Sequence, residues 1–379
     1  MDLTARYNYN FPTLVRFGAG VIDELAPYLK ERGLKSPQIV SDKALSELPF
    51  FKKIIDDLKA QGLTPSVYTG ISKNPVKKDV LDGVEEFHKN KSDSIVGLGG
   101  GASMDVARAI AMKAHHPDND LFDFDDATGG DRFVVNEIPH FVTVPTTSGT
   151  GSEVGRSTVI AEDDTHKKRI LFSPRVMASK VFADPALTME LPSKVTAATG
   201  MDALTHNIEA YLAKGFSPLC DGIAVEGIKL VSESLEKATL SPDLESRAKM
   251  MMAALMGATA FQKGLGIVHS LAHPLSTVFD THHGLANAVM LPYGLEFNRE
   301  VCSDRFAFLE KVIGCNDLIQ WVHYLNKRLG MPGSLKEMGL DSGKIDELAA
   351  LAFADVCHQS NPRSVTQEDF KAIYTKAFA

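Results

Sequence analysis

Two short segments carry the residues best placed to do chemistry. Gly200-Met201-Asp202-Ala203-Leu204-Thr205-His206 sets a carboxylate and an imidazole four positions apart, and His269-Ser270-Leu271-Ala272-His273 repeats the spacing with two imidazoles. On an α-helix, positions i and i+4 share a face, so each pair can point into a common site. A third run, His282-His283-Gly284, follows soon after. A mixed carboxylate and imidazole set suits Zn²⁺, Fe²⁺, Mn²⁺ or Co²⁺ and lacks the thiolates of a structural zinc site. One such pair alone is more often a surface or capping contact. Here, however, the second segment runs through Ile267, Val268, Leu271, Ala272, Leu275 and Val278. An unpaired polar group in those surroundings is costly, and a bound cation relieves the cost.

A second kind of chemistry is carried by backbone. Gly97-Leu98-Gly99-Gly100-Gly101-Ala102-Ser103 follows an apolar strand-like run and opens a helical one. Glycines there let N–H groups close on a phosphate, with the positive end of the helix behind them. Gly97, Gly99 and Ala102 satisfy the G-x-G-x-x-G/A pattern, although the motif follows a late strand and lacks an acidic partner about 20 residues on. A tight strand-to-helix turn needing no ligand is the competing reading. Thr146 to Ser152, rich in hydroxyls and glycine, also follows a strand end, where open α/β sheets bind ligands. Asp42, just past the first expected strand, can accept hydrogen bonds from an adenosine ribose and repel a 2′-phosphate, or it can simply form a turn.

These elements need a scaffold of two kinds. The first half alternates short apolar runs (37–41, 66–69, 94–98, 140–144, with shorter ones at 159–161, 169–172 and 180–183) with helical periods at 21–32, 50–61, 77–90 and 103–114. That alternation predicts a mostly parallel sheet covered on both faces. Beyond about residue 185 helical periods take over, at 221–238, 244–261, 317–329, 342–353 and 368–378, the last opened by a capping box from Thr366 to Asp369. The expected organisation is therefore an α/β domain over 1–187 and an all-helical domain over 188–379. A length of 379 residues fits two domains.

Composition narrows the function classes. The chain is 44% apolar and 23% charged with a net charge of −8, and it has no Lys/Arg stripe, which argues against a nucleic-acid surface. The acidic run from Asp118 to Asp126 reads as a solvated loop. Four cysteines without a CxxC pair fit a reducing compartment. No leader-like segment and no run of roughly 20 apolar residues is evident, so the expectation is a cytoplasmic protein without membrane partners.

Taken together, the motifs resemble the iron-dependent (group III) alcohol dehydrogenases of the dehydroquinate synthase-like superfamily. The likeness runs from Phe17-Gly18-Ala19-Gly20 through GGGASMD, PTTSGTGSEV, GMDALTH, HSLAHPL and HHGLANAVMLP to Asn361-Pro362-Arg363. The resemblance implies a Rossmann-like N-terminal domain followed by a helical one. It implies Asp202, His206, His269 and His283 as metal ligands, His282 as a neighbour only, and His273 as a residue close to nicotinamide and substrate. On the cofactor side it implies Asp42, Asn74, Gly100, Gly101, Thr146, Thr147 and Lys168. One departure stands out, because Ala102 replaces the family's serine and Arg108 stands where lysine is common. Ser103 is then the candidate to supply the missing hydroxyl.

The expected activity is reversible hydride transfer between a small primary alcohol, or its aldehyde, and NAD. Fe²⁺ is the expected metal, with Zn²⁺ as a possible substitute, and His273 is the expected end of a proton relay. A homodimer or larger homo-oligomer follows from the resemblance. The alternatives are a Zn²⁺-dependent glycerol or polyol dehydrogenase, a dehydroquinate synthase-like lyase, and a non-catalytic binding protein. Four ligand candidates instead of three disfavour the first, and the absence of a basic cluster near the metal motifs disfavours the second.

Overall fold

Strands and helices alternate from the start of the described chain, which covers residues 13–379 of a computed structural model. The strands are β1 (Leu14–Phe17), β2 (Pro37–Val40), β3 (Ser66–Tyr68), β4 (Ser94–Gly99), β5 (His140–Pro145), β6 (Ser157–Ala161), β7 (Lys168–Phe172) and β8 (Lys180–Ala183). Six of them form one parallel sheet in the order β1-β8-β5-β4-β2-β3, while β6 and β7 pair as an antiparallel ribbon. Side chains alternate across the sheet. Val40, Ile95 and Phe141 enter one apolar cluster with the helices Lys77–Lys89 and Gly101–Ala114. Ile39, Val96 and Val142, their chain neighbours, enter the other with Leu25–Glu31 and Pro49–Ala60. Burial on both faces explains why β2 and β4 read as continuous apolar runs.

Strand order positions the loops. From β2 the chain steps outward to β3, then returns to place β4 on the other side of β2, with Val40 opposite Gly97. The crevice at such a reversal, beyond the carboxyl ends of the strands, is where open α/β sheets bind ligands. Asp42 follows β2, Gly100 follows β4 and Thr146 follows β5. A glycine motif after the fourth strand thus lies beside the second, at the reversal.

The structure departs from the sequence reading in places. Strand β1 is too short and too exposed to show a period. The acidic run is not a solvated loop: it winds into 3₁₀ turns that bury Leu121 and Phe124 completely. Its Asp125 is also buried and pairs with Arg169. Aspartates dominate the composition there, but two aromatics and a leucine decide the packing.

The described chain forms two compact units. The sheet unit runs through Thr147 and resumes over Ser152–Glu190, and the helical unit comprises Ser148–Gly151 and Leu191–Ala379. The helical unit packs Ser193–Leu212, Pro218–Leu240, Leu244–Ala260, Ile267–Phe279 and His283–Asn298 around one core. Every residue of the first helix from Thr196 to Leu212 is buried. A helix buried on all sides has no polar face, which is why no amphipathic period marks it. The capping box at Thr366 is present, with Thr366 and Asp369 bonding reciprocally. Among the described residues, no single helix is long and apolar enough to cross a membrane.

Candidate metal centre and cofactor loops

The helix Ser193–Leu212 stacks Asp202 over His206, and Ile267–Phe279 brings His269 in beside them. His283 begins the next helix, His283–Asn298. One ligand atom from each of Asp202, His206, His269 and His283 lies within 4.8 Å of the others. Asp202 Oδ1 is 3.4 Å from His283 Nε2 and 3.9 Å from Nε2 of both His206 and His269. Gly284 makes this arrangement possible, since a Cβ there would stand 2.3 Å from the Ala198 carbonyl oxygen. The glycine lets the start of His283–Asn298 approach the backbone of Ser193–Leu212.

Further residues that sequence reasoning missed hold this set in place. Glu209 Oε2 accepts from His269 Nδ1 at 2.5 Å, which leaves Nε2 directed at Asp202. Its carboxylate also receives the backbone N–H of Val268 at 2.6 Å and of His269 at 3.4 Å, so it caps the helix that carries His269. Asn361 completes the cap through Ile267 N at 3.2 Å. Asn287 Nδ2 donates to Asp202 Oδ1 at 2.7 Å. Both side chains had a local signal: Glu209 lies three residues after His206 and seven after Asp202, and Asn287 lies four after His283. His273 stacks on His283 at 5.3 Å between ring centroids, outside the four-ligand set. Its Nδ1 is 2.8 Å from Asp355 Oδ2, a partner 82 positions away with no local signal.

Electrostatics favours a cation here. Asp202 is 2% exposed, and among the described residues its ion-pair partners are imidazoles rather than lysine or arginine. Burial pushes His206 down to about 4, so it is neutral near pH 7 and offers a lone pair. Burial also lowers His269, but Glu209 and Asp202 outweigh it and the net direction is upward. Asn287 Oδ1 is buried without a hydrogen-bond partner. A buried carboxylate ringed by three imidazoles is a costly arrangement by itself, and a divalent ion can be held by all four groups at once. The residues fit a metal of the Fe²⁺ or Zn²⁺ type.

The cofactor candidates fall into groups within the sheet unit. Gly100 caps the helix Gly101–Ala114 without any side-chain bond, so the first N–H groups of that helix face outward from β4. Thr147 adjoins it, its Cγ2 3.3 Å from where a Gly100 Cβ would stand, and Thr146 N donates to Gly99 O at 3.0 Å. The two loops form one edge. Ser103 is buried, and its Oγ lies 2.5 Å from an ideal Gly99 Cβ, so the hydroxyl folds back over the glycine turn. Asp42 Oδ1 caps the helix Lys43–Ser46 by accepting from Leu45 N at 2.8 Å. Leu45 in turn packs toward Gly99, which brings Asp42 beside the glycine loop. Asn74 and Lys168 belong to a separate group: Pro75 O accepts from Ala161 N at 2.8 Å, and Ala161 pairs with Lys168 across the ribbon.

Arg108, the departure from the family lysine, is fully buried behind the loops. Its guanidinium donates to Ser152 Oγ at 3.0 Å, to Ser157 O at 2.8 Å and to the Ser152 carbonyl. Asp105 accepts from the same Ser152 hydroxyl at 2.8 Å. The arginine therefore anchors the far end of the Thr146–Ser152 segment, a structural role.

Residues 12–185 match the model of the family described as iron-containing alcohol dehydrogenase, and residues 196–378 match that of the Fe-containing alcohol dehydrogenase family, C-terminal. The chain is 36% identical to a 4-hydroxybutyrate dehydrogenase of Cupriavidus necator, over 95% of this chain and 96% of that protein. It is 33% identical to an NAD-dependent methanol dehydrogenase of Bacillus methanolicus, over 98% of this chain and 99% of that one. Among solved structures, a 1,3-propanediol oxidoreductase superposes with a TM-score of 0.93 at 32% identity, covering 99% of this chain and all of that one.

Proposed function

This chain belongs to the iron-containing alcohol dehydrogenase family, and from that membership we propose a specific assignment of its parts. It is an alcohol–aldehyde oxidoreductase. Asp202, His206, His269 and His283 hold a divalent metal, Fe²⁺ with Zn²⁺ as a substitute. Residues 1–187 carry the cofactor and residues 188–379 carry the metal and catalysis. When bound, the metal supplies Lewis-acid polarisation of an alcohol or carbonyl oxygen, and the nicotinamide takes or gives the hydride.

The chain's own residues divide the remaining work. Glu209 holds His269 so that its Nε2 faces the centre, and Asn287 fixes Asp202. Gly100, Gly101, Thr146 and Thr147 offer N–H groups and hydroxyls to the cofactor phosphates at the strand reversal. Ser103 shapes that turn from behind. Asp42, Asn74 and Lys168 are assigned to the ribose and the outer part of the cofactor. Asp42 favours NAD, because a fixed carboxylate repels a 2′-phosphate. His273, half-exposed beside the ligand set, accepts the proton that the alcohol hydroxyl loses, so that alcohol and NAD⁺ yield aldehyde, NADH and H⁺.

The observation that supports this reading is the convergence of three imidazoles on the buried Asp202 carboxylate, which has no lysine or arginine partner among the described residues. We assign a small primary alcohol as substrate, supported by relatives named for methanol and 4-hydroxybutyrate. A cytoplasmic homodimer or larger homo-oligomer completes the proposal. The test is NADH formation by protein reconstituted anaerobically with Fe²⁺, using methanol, 1,3-propanediol, 4-hydroxybutyrate and glycerol. Turnover is expected with at least one of the first three. Turnover confined to glycerol would move the protein to the polyol branch.

A further inference from the structure

His273 and Asp355 form a second imidazole–carboxylate pair one helical turn from the pair His269 and Glu209. Asp355 Oδ2 lies 2.8 Å from His273 Nδ1. Its other oxygen, Oδ1, receives two donors, the Ser270 hydroxyl at 2.7 Å and the Cys357 backbone N–H at 2.8 Å. The carboxylate is thus held on one side by Ser270, which shares the helix Ile267–Phe279 with His273, and on the other by the turn that follows it. The Ser270 hydroxyl is fixed in turn, accepting from His358 N at 2.9 Å. Oδ1 is occupied by donors, so only Oδ2 is left to face the ring.

We propose that Asp355 is a positioning residue that locks His273 in its Nδ1–H tautomer. This rests on the assignment of His273 as the proton acceptor. An ionised carboxylate can only accept, so the proton on the imidazole must sit on Nδ1. The lone pair is then on Nε2, the nitrogen that can take the proton of a substrate hydroxyl. The hydroxyl O–H bond breaks, an Nε2–H bond forms, and the resulting imidazolium faces the Asp355 carboxylate. The side chain of His273 is 28% exposed, so the proton has a route to water. His269 shares the tautomer but is 1% exposed and belongs to the ligand set. The same carboxylate–imidazole unit therefore serves a ligand at one position and a proton carrier at the next turn.

Asp355→Asn tests the idea without changing shape. The two donors at Oδ1 require the amide oxygen to stay there, which places the amide NH₂ where Oδ2 was. An NH₂ facing Nδ1 forces that nitrogen to accept, and the ring proton moves to Nε2. The measurement is a ¹⁵N–¹H correlation spectrum of histidine-labelled, Zn²⁺-loaded protein, with His273 identified by its absence in His273→Gln. Wild type should show protonated Nδ1 and the variant protonated Nε2. In parallel, kcat with the best substrate should fall on the order of a hundredfold or more, with zinc content and the KM for NAD unchanged. Protonated Nε2 in the wild type overturns the proposal, as does a variant with an unmoved tautomer or with full turnover. If the wild type oxidises no alcohol, the assignment of His273 fails separately, because the tautomer spectra need no turnover.

Discussion

In the helical unit, the candidate binding groups are side chains on buried helices, two of them fixed by further side chains. In the sheet unit, they are chiefly backbone N–H groups at strand ends, fixed by where β2 reverses to β4 and β5. Asp202, His206 and His269 are all at most 5% exposed. Glu209 locks His269 from 60 positions away, and Asn287 locks Asp202 from 85. Gly100 and Gly101 have nothing to lock except a turn, and Arg108 with Asp105 secures the far end of the neighbouring Thr146–Ser152 segment. A cage of side chains should fail abruptly when one member is removed. A cradle of peptide groups should degrade gradually, because no single residue owns it.

The sharpest contrast comes from His269→Ala. Loss of one buried imidazole breaks a four-ligand shell, so metal content should collapse and kcat/KM should fall by roughly a thousandfold or more. Metal analysis beside turnover decides it, and a variant with normal metal would remove His269 from the set. Next in size is a test of stability in the cradle. Glu153, just after the Thr146–Ser152 segment, is 1% exposed with Oε1 unpartnered. Burial outweighs its own backbone N–H and Arg108 and raises its carboxyl to about 7. A raised carboxyl binds its proton more readily in the folded protein. Its stabilising contribution is therefore complete below the unfolded pKa of roughly 4.3 and lost as pH rises through about 7. Glu153→Gln should abolish that loss, leaving melting unchanged below about pH 4 and gaining up to about 3 kcal/mol at pH 8. Parallel pH slopes in the two proteins would show that Glu153 does not titrate in this range.

The same contrast explains what was legible in the sequence. Asp202, His206 and His269 stood out by residue type and helical spacing, the resemblance to a known family singled out His283 and set His273 apart, and the structure brings the four together. The strand–helix alternation was legible because β2 and β4 are apolar on both faces. The helix that carries Asp202 and His206 left no amphipathic trace, and the burial of Phe124 was hidden among aspartates. Asp355 could not be read at all, since its link to His273 spans 82 residues and is made by the fold. Glu209 could have been read, standing on the same stripe as His206, but a carboxylate that holds a ligand from behind looks like any other helical glutamate.

Glu209→Gln weakens the cage without opening it. Both Glu209 oxygens accept, one from Val268 N and the other from His269 Nδ1, so the amide keeps only one of these bonds, sets its NH₂ against the other donor and loses the charge that strengthens the His269 bond. Metal affinity should fall about ten- to a hundredfold, read by competition with a chelator. Unaltered affinity would make Glu209 a helix cap only.

The smallest expected effect concerns Asp42, where the cradle does use a side chain. Its Oδ1 caps the helix Lys43–Ser46 through Leu45 N, so a change in cofactor preference must be separated from loss of the cap. Glycine at an N-cap costs only a few tenths of a kcal/mol relative to aspartate, and asparagine about as little. Asp42→Gly removes the ribose acceptor and the charge together, whereas Asp42→Asn keeps the cap and an acceptor but loses the repulsion. If the carboxylate excludes a 2′-phosphate, both variants should gain activity with NADP, narrowing the NAD-to-NADP ratio of kcat/KM by about tenfold, or roughly 1.4 kcal/mol. Only Asp42→Gly should also raise the KM for NAD. Raising ionic strength should narrow the wild-type ratio in the same direction, because a partly exposed charge is screened within about 10 Å at 0.1 M salt. If Asp42→Asn leaves the ratio where it was, the carboxylate acts at this edge as a cap and not as a selector.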